Sequence, residues 1–295
     1  MAGRVDRLRV MRSWRRPLSM IRRFREIHHM YSVLAVDLDD TLLADDGTIS
    51  PRTMAALDSW QAAGRRIVVA TGRPPRSAKL VHPYLNDFPM ICYNGAWIEL
   101  QGNVLFQATI PVDDARRIVG AIQNAAPGCR LGVEIDDTLY VNGGTAWTRA
   151  HLVSDVLAHT DRPAAKILTS LEELDAAQPL SLNGQAVVGK PSETFLRGLP
   201  ATCRALISPK YDLVQVIPCG ASKAAALRWL LDQWGVGMEE VISFGDDVND
   251  VEMVAEAGLG VAMSNAVPEV KAAADRMTVS NKEDGVAVML EAFVS

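Results

Sequence analysis

The sequence predicts an α/β protein with a Rossmann-like parallel-sheet core and an inserted α+β segment. Three observations predict it. Short apolar runs of strand length alternate with helical segments toward both ends of the chain. Those runs are apolar throughout rather than alternating, the pattern of strands covered on both faces. The alternation breaks down after about residue 111 and resumes near Leu213.

The elements follow in order. Tyr31–Leu38, YSVLAVDL, is the first expected strand. Ser50-Pro51 reads as an N-cap with proline in the first helical position, opening a helix through Met54, Leu57 and Trp60 that stops at Gly64. Arg66–Ala70 is a second strand, and Thr71-Gly72-Arg73 a loop. A helix is expected from about Pro74 to Tyr84, then a third strand, Met90–Tyr93, closed by an Asn94-Gly95 turn. Asp113–Asn124 is helical, and Asp136-Asp137 forms a polar hairpin turn between strand-like runs at Arg130–Ile135 and Leu139–Val141. Ser222–Trp234 (helix), Val241–Phe244 (strand), Asp250–Ala257 (helix), Gly260–Met263 (strand) and Gly285–Phe293 (helix) complete the chain. The expected division is a core of residues 31–111 and 213–295, an insert of 112–212, and a basic, disordered extension of 1–30 with no catalytic role. Trp97, Trp147, Trp229 and Trp234 read as packing residues.

Composition narrows the function. Hydrophobic residues make up 48% of the 295 and charged residues 22%, a globular rather than a disordered balance. No apolar run approaches the ~20 residues of a membrane helix. Residues 1–30 hold nine Arg against Asp6 and Glu26, a net +7, so the rest carries −12 of a total of −5. An acidic body argues against nucleic acid as the main partner. The Arg-rich segment, which contains His28-His29, lacks the apolar centre of a secretory signal, and Met30 directly before the first strand reads as an alternative start. Cys92, Cys129, Cys203 and Cys219 form no CxxC pair and no zinc spacing, which suits reduced thiols in a cytoplasmic protein.

Four short patterns carry chemistry. Asp37-Leu38-Asp39-Asp40-Thr41-Leu42 follows the first apolar strand directly. Alternation along a strand lets Asp37 and Asp39 project to one side where the strand ends, the place where open parallel sheets gather ligands. Two close carboxylates resist joint ionisation, and a cation resolves that conflict. A calcium loop is disfavoured, because no Gly stands sixth and no Glu twelfth. Thr71-Gly72, again at a strand end, offers a hydroxyl and accessible backbone N–H groups to an anion, although alone it is ordinary turn chemistry. Lys223 begins a helix, where it opposes the dipole unless an anion or carboxylate cluster offsets it. Gly245-Asp246-Asp247-Val248-Asn249-Asp250 supplies a second acidic cluster after a strand, in which Asp246 can complete a hard-oxygen site with Asp37.

In that order and at those element ends, the four patterns resemble the haloacid dehalogenase superfamily, and the resemblance covers about residues 31–295. Asn94-Gly95-Ala96, the insert of roughly 100 residues between the Thr-Gly and Lys patterns, and Ser280–Ala287 resemble its Cof-like phosphatases. The family often has Gly where Asp40 and Ala224 stand here; neither change removes a catalytic group. The resemblance implies a phosphoric monoester hydrolase with Mg2+ as cofactor and a small phosphorylated metabolite, such as a sugar phosphate, as substrate. It implies Asp37 as nucleophile and Asp39 as acid and base. It implies a metal held by Asp37, Asp246 and the backbone carbonyl of Asp39. It further implies phosphoryl contacts from Leu38, Thr71, Gly72, Lys223 and Asn249, with Asp250 in support and the insert as a large α/β cap. A phosphomutase shares the Asp pair, and a phospho-receiver module shares the Asp, Thr and Lys but lacks the insert.

Overall fold

In the computed structural model, residues 31–143, 150–177 and 190–294 are described. The expected basic extension 1–30 and Trp147 lie outside the described residues. The first strand, β1 (Val33–Val36), is buried at every position, and β2 (Arg66–Ala70) at all but its first. Fully apolar strands of this kind require cover on both faces. They sit at the centre of an eight-stranded sheet in the order β14-β13-β12-β1-β2-β3-β4-β5. Here β3 is Met90–Cys92, β4 Trp97–Leu100, β5 Asn103–Gln107, β12 Val241–Gly245, β13 Leu259–Ala262 and β14 Arg276–Met277. Pairing is parallel from β14 through β3. It turns antiparallel at β4 and at the edge strand β5, for which the Asn94-Gly95 turn was the only sequence signal.

Helix α1 (Pro51–Ala62) begins as expected, with the Ser50 hydroxyl accepting from the Thr53 N–H at 3.0 Å. The helix expected from Pro74 to Tyr84 is broken. Only α2 (Pro75–Ala78) is helical, followed by a short turn at Pro83–Asp87. Pro83 has no N–H to give the helix and forces His82 into an extended conformation, φ −157°, which ends it. Trp229 packs against Phe106 with ring centroids 5.3 Å apart, and Trp234 lies under the Arg66 guanidinium, so both are packing residues.

The middle of the chain builds a second sheet, ordered β10-β11-β9-β6-β7-β8, with mostly antiparallel pairs. Its strands are β6 (Leu131–Ile135), β7 (Thr138–Val141), β8 (His151–Leu152), β9 (Lys166–Thr169), β10 (Cys203–Ser208) and β11 (Leu213–Pro218). Helix α3 (Val112–Ala125) lays Ala115, Ile118, Val119 and Ile122, spaced for one face, onto Leu131, Val133, Ile167 and Val214. This sheet also carries α4 (Leu171–Asp175) and α5 (Pro191–Gly198). One boundary needs correction. The sequence returns the chain to the first sheet at Leu213, but β11 pairs with both β9 and β10, so the return falls after Pro218. An apolar strand of LVQVIP type carries no mark of which sheet it joins. Helices α6 (Lys223–Trp234), α7 (Val251–Glu256), α8 (Pro268–Ala273) and α9 (Gly285–Val294) then complete the eight-stranded unit.

Candidate active site

The catalytic candidates collect at the carboxyl ends of β1, β2 and β12, where an open α/β sheet presents its crevice. Asp37 leaves β1 nearly buried, its N–H donating to the Phe244 carbonyl of β12 at 3.2 Å. The chain then makes one wide turn, Leu38–Leu42, in which Asp40 adopts φ +58°. That left-handed angle suits Gly best and Asp tolerably, which accounts physically for either residue at this position.

Lys223 opens α6 beneath the site. Ser222 caps the helix by accepting from the Ala225 N–H at 3.0 Å. The fully buried ammonium donates to Asp37 Oδ1 and to Asp250 Oδ1, each at 2.6 Å. Asp250 turns its other oxygen to the N–H groups of Asp246 and Asp247, at 3.0 and 3.1 Å. Gly245 makes that turn possible, because a Cβ there would fall 2.3 Å from the Asp250 Cβ. Thr41 donates its hydroxyl to Asp246 Oδ1 at 2.8 Å. Oxygens of Asp37, Asp246 and Asp250 all lie within 4.8 Å of one another.

Three buried carboxylates around one ammonium leave an excess of negative charge. Burial pushes the Asp37 carboxyl well above its ordinary value; Lys223 opposes this, while Asp250 and Asp246 add to it. Burial likewise raises Asp246 to about 7, with Asp250 adding to the shift. For Lys223, burial alone would lower the ammonium, but Asp250 and Asp37 outweigh it and raise it. Oxygen-only ligands carrying surplus charge suit a hard divalent cation. The residues present therefore fit a Mg2+ site, with Asp250 as a third nearby carboxylate that already holds Lys223.

The phosphate-loop candidates stand beside this cluster. Thr71 is buried, and its hydroxyl oxygen accepts from the Arg73 N–H at 3.1 Å. A Cβ on Gly72 would sit 2.9 Å from Asn94 Oδ1, so a side chain there would have to displace the Asn94 amide. Asn249 donates from its amide to the same Asn94 oxygen at 2.8 Å. Asp39 is placed apart from Asp246: its half-exposed carboxylate faces the cavity mouth and accepts from Arg73 Nε at 2.9 Å. Asp37, Asp39, Gly72, Asp246 and Asn249 all line one cavity of about 370 Å³.

The second sheet supplies part of that cavity's wall, which the sequence did not reveal. Lys166 of β9 and Gln215 of β11 line it, as do Ser208 at the end of β10 and Tyr211 from the β10–β11 connection. Tyr211 donates to Asp40 Oδ2 at 2.9 Å. Asp137, placed in a hairpin turn by the sequence, takes part in a contact between the sheets, since its backbone oxygen accepts from Arg76 at 3.0 Å. No spacing marks these residues in advance, because each arrives through pairing between distant strands.

A family model described as haloacid dehalogenase-like hydrolase matches residues 34–290. The chain belongs to that family. A relative, the 5-amino-6-(5-phospho-D-ribitylamino)uracil phosphatase YitU of Bacillus subtilis, is 28% identical over 89% of this chain and 97% of its own length. The pyridoxal phosphate phosphatase YbhA of Escherichia coli is 27% identical over 86% and 96%. The crystal structure of TM0651 from Thermotoga maritima superimposes with a TM-score of 0.74 at 28% identity, over 89% and 97% of the two chains. The chain is thus a haloacid dehalogenase-like phosphoric monoester hydrolase, and the Cof-like resemblance read from its motifs holds. Among the described residues no helix is long and apolar enough to cross a membrane.

Proposed function

We propose that the protein hydrolyses small phosphomonoesters, sugar phosphates or similar metabolites, with Mg2+ bound and an aspartyl-phosphate formed on Asp37. The observation that carries this reading is the Lys223 ammonium held between Asp37 and Asp250, with Asp246 beside them. Of the two Asp37 carboxylate oxygens Lys223 engages Oδ1, leaving Oδ2 for attack. Attack by that oxygen on phosphorus breaks the ester P–O bond, and Asp39 delivers a proton to the departing oxygen. Asp39 then takes a proton from water, whose attack on phosphorus breaks the acyl-phosphate bond, frees phosphate and restores Asp37.

Thr71, Gly72, Lys223 and Asn249, with the Leu38 N–H, hold the phosphoryl oxygens, while Asp250 keeps Lys223 in place. Asp37, Asp246 and the Asp39 carbonyl would hold the cation, which supplies charge stabilisation to the phosphoryl group. The second sheet acts as a cap, whose residues choose the leaving group. Four free thiols support a cytoplasmic setting. The relatives that act on phosphorylated metabolites support the substrate class.

The test is phosphate release from a panel of phosphorylated metabolites. We expect release with Mg2+, reversible loss with chelator, and at least 1000-fold loss in Asp37→Asn with the fold retained. Turnover by Asp37→Asn near the wild-type rate would refute the covalent route.

A further inference from the structure

Lys166 and Gln215 are the cap residues whose bonding leaves the most unsaid by the mechanism above. In the β9–β11 pairing Gln215 faces Leu168, so Lys166, two residues along, shares its face of the sheet. The Lys166 side chain is buried and yet lines the cavity. An ammonium has three donors and no acceptor. Two are spoken for, by the Gly72 carbonyl at 3.0 Å and Gln215 Oε1 at 3.1 Å. The Tyr93 ring, 5.4 Å from Nζ, supports the charge from one side. The third N–H has no oxygen partner among the described residues.

Gln215 is oriented by the same contact. Because Lys166 only donates, the amide oxygen of Gln215 must face it. That oxygen also accepts from Asn94 Nδ2 at 3.3 Å. The Gln215 NH2 group is turned the other way and has no partner among the described residues, although Gln215 lines the cavity. These two side chains therefore present donors to the cavity, the one acceptor between them, Gln215 Oε1, being engaged twice.

We propose that Lys166 and Gln215 form a donor wall that reads the leaving group, favouring phosphomonoesters with a carboxylate or carbonyl oxygen close to the ester carbon. The proposal rests on the phosphatase reading. Such oxygens satisfy the free donors and bring no proton of their own. A polyol hydroxyl brings a proton that neither Lys166 nor Gln215 can accept, and it accepts from the Lys166 ammonium more weakly than a carboxylate does.

Three-carbon substrates make the comparison at nearly constant size: 3-phosphoglycerate for the carboxylate, dihydroxyacetone phosphate for the carbonyl, and glycerol 3-phosphate for the polyol. With Mg2+ and the full chain, we expect one or both acceptor substrates to exceed glycerol 3-phosphate in kcat/KM by at least tenfold. Lys166→Met should collapse that ratio at least tenfold, through KM rather than kcat, and Gln215→Leu several-fold. Circular dichroism melts check folding, and Gln215→Leu, at a partly exposed position, carries the test if Lys166→Met does not fold. Preference for the polyol overturns the proposal. So does a ratio unmoved by either folded variant, which would leave Lys166 only the task of tying β9 to the Gly72 carbonyl. Phosphate release from none of these, nor from phenyl phosphate, overturns the phosphatase reading itself and this inference with it.

Discussion

Asp39 and Asp37 stand two residues apart and occupy opposite surroundings. Asp37 is buried against an ammonium, whereas Asp39 is half exposed and held by Arg73 at the cavity mouth. A nucleophile needs the first setting and a proton shuttle the second, since a shuttle must meet both leaving group and water. Asp39→Asn preserves the backbone and its carbonyl but cannot carry a proton. Its kcat should fall roughly 100-fold or more on alkyl phosphates and far less on 4-nitrophenyl phosphate, whose leaving group needs little protonation. Equal losses on the two, measured side by side, would reduce Asp39 to a structural role. At this scale the sequence was most informative where chemistry is local. Asp37, Lys223, Asp246 and Asp250 each sit at an element end that announces itself through an apolar run or a cap. The Arg73–Asp39 pair was hidden, because a loop residue and a turn residue 34 positions apart share no periodicity.

Helix α2 is only four residues long, yet it carries a two-pronged ion pair to the second sheet. Arg76 donates to both oxygens of Glu134 on β6, at 2.7 and 2.9 Å, and the Tyr93 hydroxyl donates to the same carboxylate at 3.1 Å. Glu134 has 2% of its side chain exposed, so its charge depends on these partners. Arg76→Met should therefore destabilise the protein by about 3–5 kcal/mol in urea unfolding, leaving a buried carboxylate without its cation. Adding Glu134→Leu should recover most of that loss; a double variant no more stable than the single one would show that the pair is not the unit of stability. The elements themselves were largely legible: strands from unbroken apolar runs, α1 and α6 from their serine caps. What was not legible came from competition between signals. A helical pattern runs through Pro83, but the proline decides the outcome, and the antiparallel edge β4–β5 is short, half exposed and without a strand-length apolar run.

Viewed whole, the molecule has an apolar cluster on each face of the eight-stranded sheet and another beneath the six-stranded sheet, and one of the first two also takes in Ala165 and Ile217 from the second sheet's side. Between the sheets run many polar contacts: Arg76 to Glu134, Lys166 to Gly72, Tyr211 to Asp40, Asn94 to Gln215. The sequence displayed the two cores as a change of pattern, but not the seam, which exists only once both sheets have formed. That seam has a consequence for how the protein breathes. Apart from Ala165 and Ile217 the groups that part there are polar, so little hydrocarbon is exposed, and denaturant sensitivity scales with the surface uncovered. Opening should thus respond weakly to urea below the unfolding transition, and weakly to salt as well, since the Arg76–Glu134 pair is buried and little screened. Hydrogen exchange at the Arg76 amide, whose N–H donates to Asp137 Oδ1 across the seam at 3.2 Å, reports the event directly. Rates that climb with urea as steeply as those of buried β1 would mean that the seam parts only when the entire fold is lost, and that substrate must enter by some narrower door.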